Sequence, residues 1–169
     1  MTEVLGKSIE LHRRYETPFS VISIDIDHFK KINDSHGHLV GDWVLTNISE
    51  LMKGRLRSTD IIGRMGGEEF LVLLPNTSEH DAMQVAENLR QKISQAEFSS
   101  ENDARFVVTA GGGVLGMTEN MDSVEDLLRR PDRLLYEAKE PGRNMFLAPG
   151  TSSKTESYKQ RLSHDTPGQ

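Results

Sequence analysis

At 169 residues, 36% hydrophobic and 27% charged, the chain reads as one ordinary domain, long enough to bury a core and without an apolar run able to cross a bilayer. A net charge of −6 excludes broad polynucleotide binding, which draws on many Lys and Arg, but not a mononucleotide whose phosphates are neutralised locally. The absence of cysteine excludes disulfides and thiolate metal sites; with no signal-peptide layout at the start, this fits a reducing compartment, the cytoplasm.

Residues 1–16 suggest the end of a helix, from the rough periodicity of Val4, Leu5, Ile9 and Leu11, stopped by Thr17-Pro18. Gly6-Lys7-Ser8 looks like the tail of a phosphate-binding loop, but its leading glycine would fall on Met1, so that reading is rejected. Residues 19–26 predict a strand through Val21, Ile22, Ile24 and Ile26, with Asp25 and Asp27 at its C-terminal end and on one side. Residues 29–41 are polar and hold Lys30, Asn33, Asp34, His36 and His38. Val40, Val44, Ile48 and Leu51 then recur at helical spacing to about Lys53, where Gly54 ends the helix.

Residues 60–64 and 70–74 predict two strands, and Gly66-Gly67 between them a tight hairpin with positive φ at both glycines. Glu68 and Glu69 leave that turn at the head of a buried strand, a costly place for paired negative charge unless a cation sits there. Asn76-Thr77-Ser78 offers a helix start, and Ala82, Val85, Ala86, Leu89 and Ile93 give that helix one apolar face. After a polar loop at 99–102, residues 105–109 read as a strand running into Gly111-Gly112-Gly113-Val114. A helix over 123–139 carries Pro131 as a kink or interruption, and residues 145–147 form a short closing strand. Residues 150–169 read as a disordered tail, leaving a domain over 1–149. The order predicts an α+β sandwich, one mainly antiparallel sheet with helices outside it.

If the strand ending at Asp27 lies beside the hairpin, Asp25, Glu68 and Glu69 converge at one edge of the sheet. Such a cluster repels itself, and a divalent metal is the natural remedy. Oxygen ligands alone favour Mg²⁺ or Mn²⁺, whose shells are shared with substrate phosphates. An EF-hand fails the spacing, because Phe29 occupies the third ligand position. Lys30 near the cluster, with Lys139 and Arg143 from the far end of the chain, can meet phosphates, which points to phosphoryl or nucleotidyl transfer.

Blander readings attach to other features. His36 and His38 are turn histidines before they are ligands, and Trp43 is core or helix surface. Gly111, Gly113 and Gly116 match a dinucleotide-binding spacing, but no helix opens directly there. The acidic run over 119–126 is a solvated loop and helix start, capped by Asp122 or Ser123.

Four segments together resemble the GGDEF domain of bacterial diguanylate cyclases: Asp25-Ile26-Asp27-His28-Phe29-Lys30-Lys31-Ile32-Asn33-Asp34, then Gly37-His38 with Gly41-Asp42, then Arg64-Met65-Gly66-Gly67-Glu68-Glu69-Phe70 in its GGEEF form, and residues 135–144 with Lys139 and Arg143. The resemblance covers residues 18–147 in order and spacing. It implies a palm-like, ferredoxin-like fold working as a homodimer, each subunit holding one GTP, to make cyclic di-GMP and two pyrophosphates. It implies Asp25, the Ile26 carbonyl and Glu68 as metal ligands, with Glu68 also assisting deprotonation of the 3′-hydroxyl and Glu69 helping with the metal. Lys30 would stabilise charge on phosphate, Lys139 and Arg143 the outer phosphates, and Asn33 and Asp42 would read guanine near His38, with Phe29 and Gly67 also against the substrate. An ionised Asp can accept from both N1–H and the 2-amino group of guanine, a pair adenine lacks.

Arg57-Ser58-Thr59-Asp60 stands where family members carry an RxxD inhibitory site for their product; an arginine fork can grip guanine O6 and N7. The family's second arginine falls at Asn88 here, with Arg90 as a substitute. Two departures stand out. The strand usually written Thr-x-Ser-Ile-Gly-Val is the looser Thr109-Ala110-Gly111-Gly112-Gly113-Val114, and the family's opening Asp-x-Leu-Thr segment and any sensor domain are missing: either this is a fragment of a longer protein, whose parent the sequence does not show to be membrane-tethered or not, or a part that normally supports dimerisation is absent. The competing function is a non-catalytic receptor for GTP or cyclic di-GMP on the same fold, and retention of the turn glycines and acids favours the enzyme.

Overall fold

In the computed structural model, which describes residues 1–99, 105–118, 121, 123–139 and 142–149, one strand organises the chain. β1 (Phe19–Ile26) is buried along its whole length because it has an antiparallel neighbour on each side, β3 (Glu69–Pro75) and β6 (Ala110–Gly116). β2 (Ile61–Gly66) lies outside β3, and β7 (Phe146–Leu147) lies outside β6 and parallel to it, giving the order β2-β3-β1-β6-β7.

Alternation along β1 assigns its two faces to different helices. Ile22, Ile24 and Ile26 enter a core with Phe29 and Ile32 of α2 (Phe29–His36), Val44 and Ile48 of α3 (His38–Lys53) and Ala86 and Leu89 of α4 (Glu79–Gln95). Phe19 and Val21 face the other way, onto Leu5 and Ile9 of α1 (Thr2–Tyr15) and Leu127 of α5 (Val124–Lys139). On that second face the next two residues are Ser23 and Asp25, so the apolar half of the strand ends where a polar site begins. Burial of the three isoleucines stabilises the strand by about 1.5–3 kcal/mol each, enough to hold a carboxylate at its end. The result is the expected α+β sandwich, mainly antiparallel, with helices on both faces.

Local chemistry sets the element ends. Glu16 closes α1 in the left-handed region, its N–H donating to the His12 carbonyl. The Ser78 side chain accepts from the Asp81 N–H to start α4, and Ser123 does the same for Asp126 at the start of α5. Helix α5 runs through Pro131 without interruption.

Several expectations need correction. Residues 29–36 form a helix, not only a polar stretch; Phe29 and Ile32, one turn apart, are its buried anchors, too few to show as periodicity. The single strand expected over 105–114 is two: β5 (Arg105–Val107) pairs with β4 (Glu97–Ser99) in a separate two-stranded sheet, and β6 begins only at Ala110. In the hairpin, Gly66 belongs to β2 and pairs with Glu69, after a register shift beside Met65. The turn residues are Gly67 and Glu68, and of these only Gly67 has positive φ, +49°. The glycine run of β6 is not looseness: a Cβ on Gly113 would meet the Pro131 carbonyl and Leu134 of α5, so the glycines let that helix pack close to the sheet. The tail over 150–169, most of the 99–102 loop, the Asp122 cap and residues 140–141 of the last motif lie outside the described residues.

Candidate active site

The acidic residues meet near the middle of the sheet, at the C-terminal end of β1, and not at its edge. Asp25 stands opposite Glu69 in the β1–β3 register, and the Ile26 N–H donates to the Glu68 carbonyl over 3.3 Å. Across the turn, Arg64 Nε donates to the Gly67 carbonyl at 2.8 Å and braces the bend that presents the two glutamates. Asp25 is buried, Glu68 half-buried and Glu69 exposed. Burial pushes the Asp25 carboxyl above its ordinary value; Lys139 opposes this through a hydrogen bond and its charge, while Glu68 and Glu69 add to the rise.

Lys139, the last residue of α5, reaches this carboxylate: its Nζ lies 3.0 Å from Asp25 Oδ1. Among the described residues no three His, Cys, Asp or Glu side chains are arranged to hold a metal ion. The donor set nevertheless suits a hard cation: a buried carboxylate beside two more acids, all oxygen, already drawing an ammonium to itself.

Beyond Asp25, the chain leaves β1 through His28, whose φ of 56° is left-handed, and enters α2. Phe29 is buried and so fixes the helix, leaving Lys30 exposed on its first turn. Gly41 of α3 faces the other end of α2. A Cβ there would come within 3.0 Å of Asn33 Cγ and 3.2 Å of Phe29 Cζ, with Asn33 Oδ1 closer still. The glycine therefore brings Asn33 against the start of α3, where His38 and Asp42 are exposed. His36 stacks on Phe106, ring centroids 4.4 Å apart, and Trp43 is partly exposed with its edge toward Phe98.

Asp27 does not join the acidic cluster. Its Oδ2 accepts from the Thr109 hydroxyl at 2.7 Å and from the Asn144 N–H at 2.9 Å. That clasp ties the left-handed Arg143-Asn144 turn, with Arg143 half-buried, to the end of β1. Arg90 continues the network: it grips Glu87 through two nitrogens, at 2.7 and 2.8 Å, and donates to Asn144 Oδ1 at 2.9 Å. Thr109, Asn144 and Glu87 were not singled out by sequence, because their partners lie far away along the chain and no spacing announces them.

Arg57 and Asp60 form a turn just before β2. The Arg57 N–H donates to Asp60 Oδ2 at 2.8 Å and the Asp60 N–H to the Arg57 carbonyl at 3.0 Å, while Asp60 Oδ1 is buried with no partner among the described residues. This turn adjoins Ile61, which pairs with Leu73, at the opposite end of β2 from Gly67. Arg90 is engaged elsewhere: it bonds Asn144, whose N–H is held by Asp27, and α4 turns it about 200° from Asn88 around the helix.

These features match known proteins closely. Residues 1–145 match the family described as "Diguanylate cyclase, GGDEF domain". Diguanylate cyclase A of Treponema denticola is 40% identical over 125 residues, 74% of this chain and 33% of that protein. The active GGEEF domain of a diguanylate cyclase from Vibrio cholerae superposes with a TM-score of 0.78 at 36% identity, covering 84% of this chain and 89% of that one. The GGDEF domain of DgcB from Caulobacter crescentus, solved in complex with c-di-GMP, superposes with a TM-score of 0.82 at 25% identity, covering 86% of each chain. The chain spans about a third of the length of the first curated relative it matches. With the family model matching residues 1–145, across the glycine bend, the paired acids behind it and the α2–α3 corner, the chain belongs to the GGDEF-domain family of diguanylate cyclases.

Proposed function

We propose that this domain, as a homodimer with one GTP in each subunit, condenses two GTP into cyclic di-GMP and two pyrophosphates. In each half-reaction a 3′-oxygen attacks the partner nucleotide's α-phosphorus, the bond from that phosphorus to the bridging oxygen breaks, and pyrophosphate leaves with the electron pair. One observation carries this reading: acids from β1 and the β2–β3 turn meet a phosphate-type cation, Lys139, at one end of the central strand.

Asp25, the Ile26 carbonyl and Glu68 would hold Mg²⁺ or Mn²⁺, which when bound neutralises the triphosphate and favours loss of pyrophosphate. Glu68, only half-buried, accepts the proton of the 3′-hydroxyl, with Glu69 supporting the cation. Lys30 stabilises charge gathering on the phosphate, and Lys139 with Arg143 bind the outer phosphates. Asn33 and Asp42 read guanine with His38 nearby, while Phe29 and the exposed Gly67 turn line the substrate. Arg57 and Asp60 bind the product: an exposed guanidinium suited to guanine stands beside a buried carboxylate oxygen that still wants a donor. The solved complex of DgcB with c-di-GMP supports that ligand class. Use of GTP puts the domain in the cytoplasm; among the described residues no helix is long and apolar enough to cross a membrane.

The experiment is incubation with GTP and Mg²⁺, following pyrophosphate and the cyclic dinucleotide together. Glu68→Gln is expected to abolish turnover while keeping the fold, since its side chain closes no described core contact. A variant near the wild-type rate refutes the assignment, and GTP binding without any turnover in the parent protein favours the receptor reading.

A further inference from the structure

The same carboxylate that would take the metal is already engaged. Asp25 Oδ1 is 3.0 Å from Lys139 Nζ, with the aspartate side chain 7% exposed and the lysine 35% exposed. An incoming dication would therefore meet a like charge at its own ligand. Lys139 has to give way, and its four-carbon stem at the very end of α5 allows that. Where it goes decides the energetics. Beside a newly bound dication that also draws Glu68 and Glu69 to itself, the displaced ammonium loses its partner and is repelled. With a triphosphate present, it gains phosphate oxygens in exchange.

Resting on the reading above, we propose that Lys139 is the resident counter-ion of Asp25 and yields to a divalent cation only when a nucleoside triphosphate is there to receive it, so that metal and nucleotide bind as one coupled event. The reciprocity of binding free energies then requires each ligand to raise the affinity for the other by the same factor. Lys139 is thus a gate on metal loading as well as a phosphate ligand, and the nucleotide-free domain is poor at capturing metal. Exchanging a charge-assisted contact of this kind is worth about tenfold in affinity.

The test measures Mn²⁺ binding by electron paramagnetic resonance on the whole chain, wild type, Lys139→Gln and Lys139→Arg, with and without GTP. Without nucleotide, Lys139→Gln is expected to bind Mn²⁺ about tenfold tighter than wild type, and Lys139→Arg to behave as wild type. Equal or weaker binding by the glutamine variant overturns the proposal while leaving the metal site standing. If none of the three binds Mn²⁺ at the protein even with GTP, the site reading falls and the proposal with it. A second readout needs no substitution: the ε-methylene resonance of Lys139 in the wild-type protein is expected to hold still on Mg²⁺ alone and to move on Mg²⁺ with GTP. Movement on Mg²⁺ alone overturns the proposal.

Discussion

Replacing Gly41 with alanine separates the stability of the α2–α3 corner from the guanine recognition proposed for it. In a helix interior, alanine is favoured over glycine by about 1 kcal/mol. Here the added methyl would sit 3.0 Å from Asn33 Cγ and 3.2 Å from Phe29 Cζ, and overpacking of this kind costs about 1–3 kcal/mol. The buried Phe29 ring anchors α2, whereas the Asn33 amide is the end of a half-buried side chain and is the part that moves. The net stability loss is then between nothing and about 2 kcal/mol, a fall of no more than about 8 °C in Tm. Guanine loses the contact of a displaced amide, about 1–1.5 kcal/mol or roughly tenfold in affinity. Calorimetric titration with GTP, alongside thermal melting, measures both. The same substitution in an Asn33→Ala background should cost no further affinity, because the clashing group is gone. An undiminished tenfold loss in that background, or an unchanged affinity in the single variant, refutes the reasoning.

Other outcomes follow from the acids and the remote turn. Asp25→Asn is expected to abolish turnover yet to raise Tm near neutral pH in chelated buffer. The native carboxyl titrates above its ordinary 3.8, so between the unfolded and folded values the native state binds more protons and stability falls as pH rises. The variant removes that slope, and its advantage should vanish in acid; an amide variant less stable than wild type near neutrality counts against the assigned direction. Arg57→Ala should relieve inhibition by added cyclic di-GMP without changing the initial rate, because its turn lies at the opposite end of a six-residue strand, about 20 Å away. Unchanged inhibition means the product binds elsewhere.

What sequence could reveal here tracked how local the cause was. β1 was legible to the residue because it is buried on both faces and reads as an almost unbroken apolar run. The capping serine of α4 and the glycine bend are likewise short-range signals. α2 escaped notice because two anchors make no period, and the break between β5 and β6 because Val108 and Thr109, which lie in neither strand, have strand-type side chains like Val107 before them. In the site, residue types were readable but pairings were not. Nothing in the local pattern says that Lys139 closes on Asp25, that Asp27 is spent on Thr109 and Asn144, or that Arg90 bonds Asn144.

The Asp27 clasp joins residues 117 positions apart in sequence, and it has a bearing on biosynthesis. As the polypeptide emerges, its acids come first, and Lys139, which pairs with Asp25, arrives only with α5. Until that segment docks, the nascent domain carries an uncompensated negative end. A ribosome-bound intermediate arrested before α5 should therefore be loosened by low salt and tightened by added counter-ions, a signature of charge completed last.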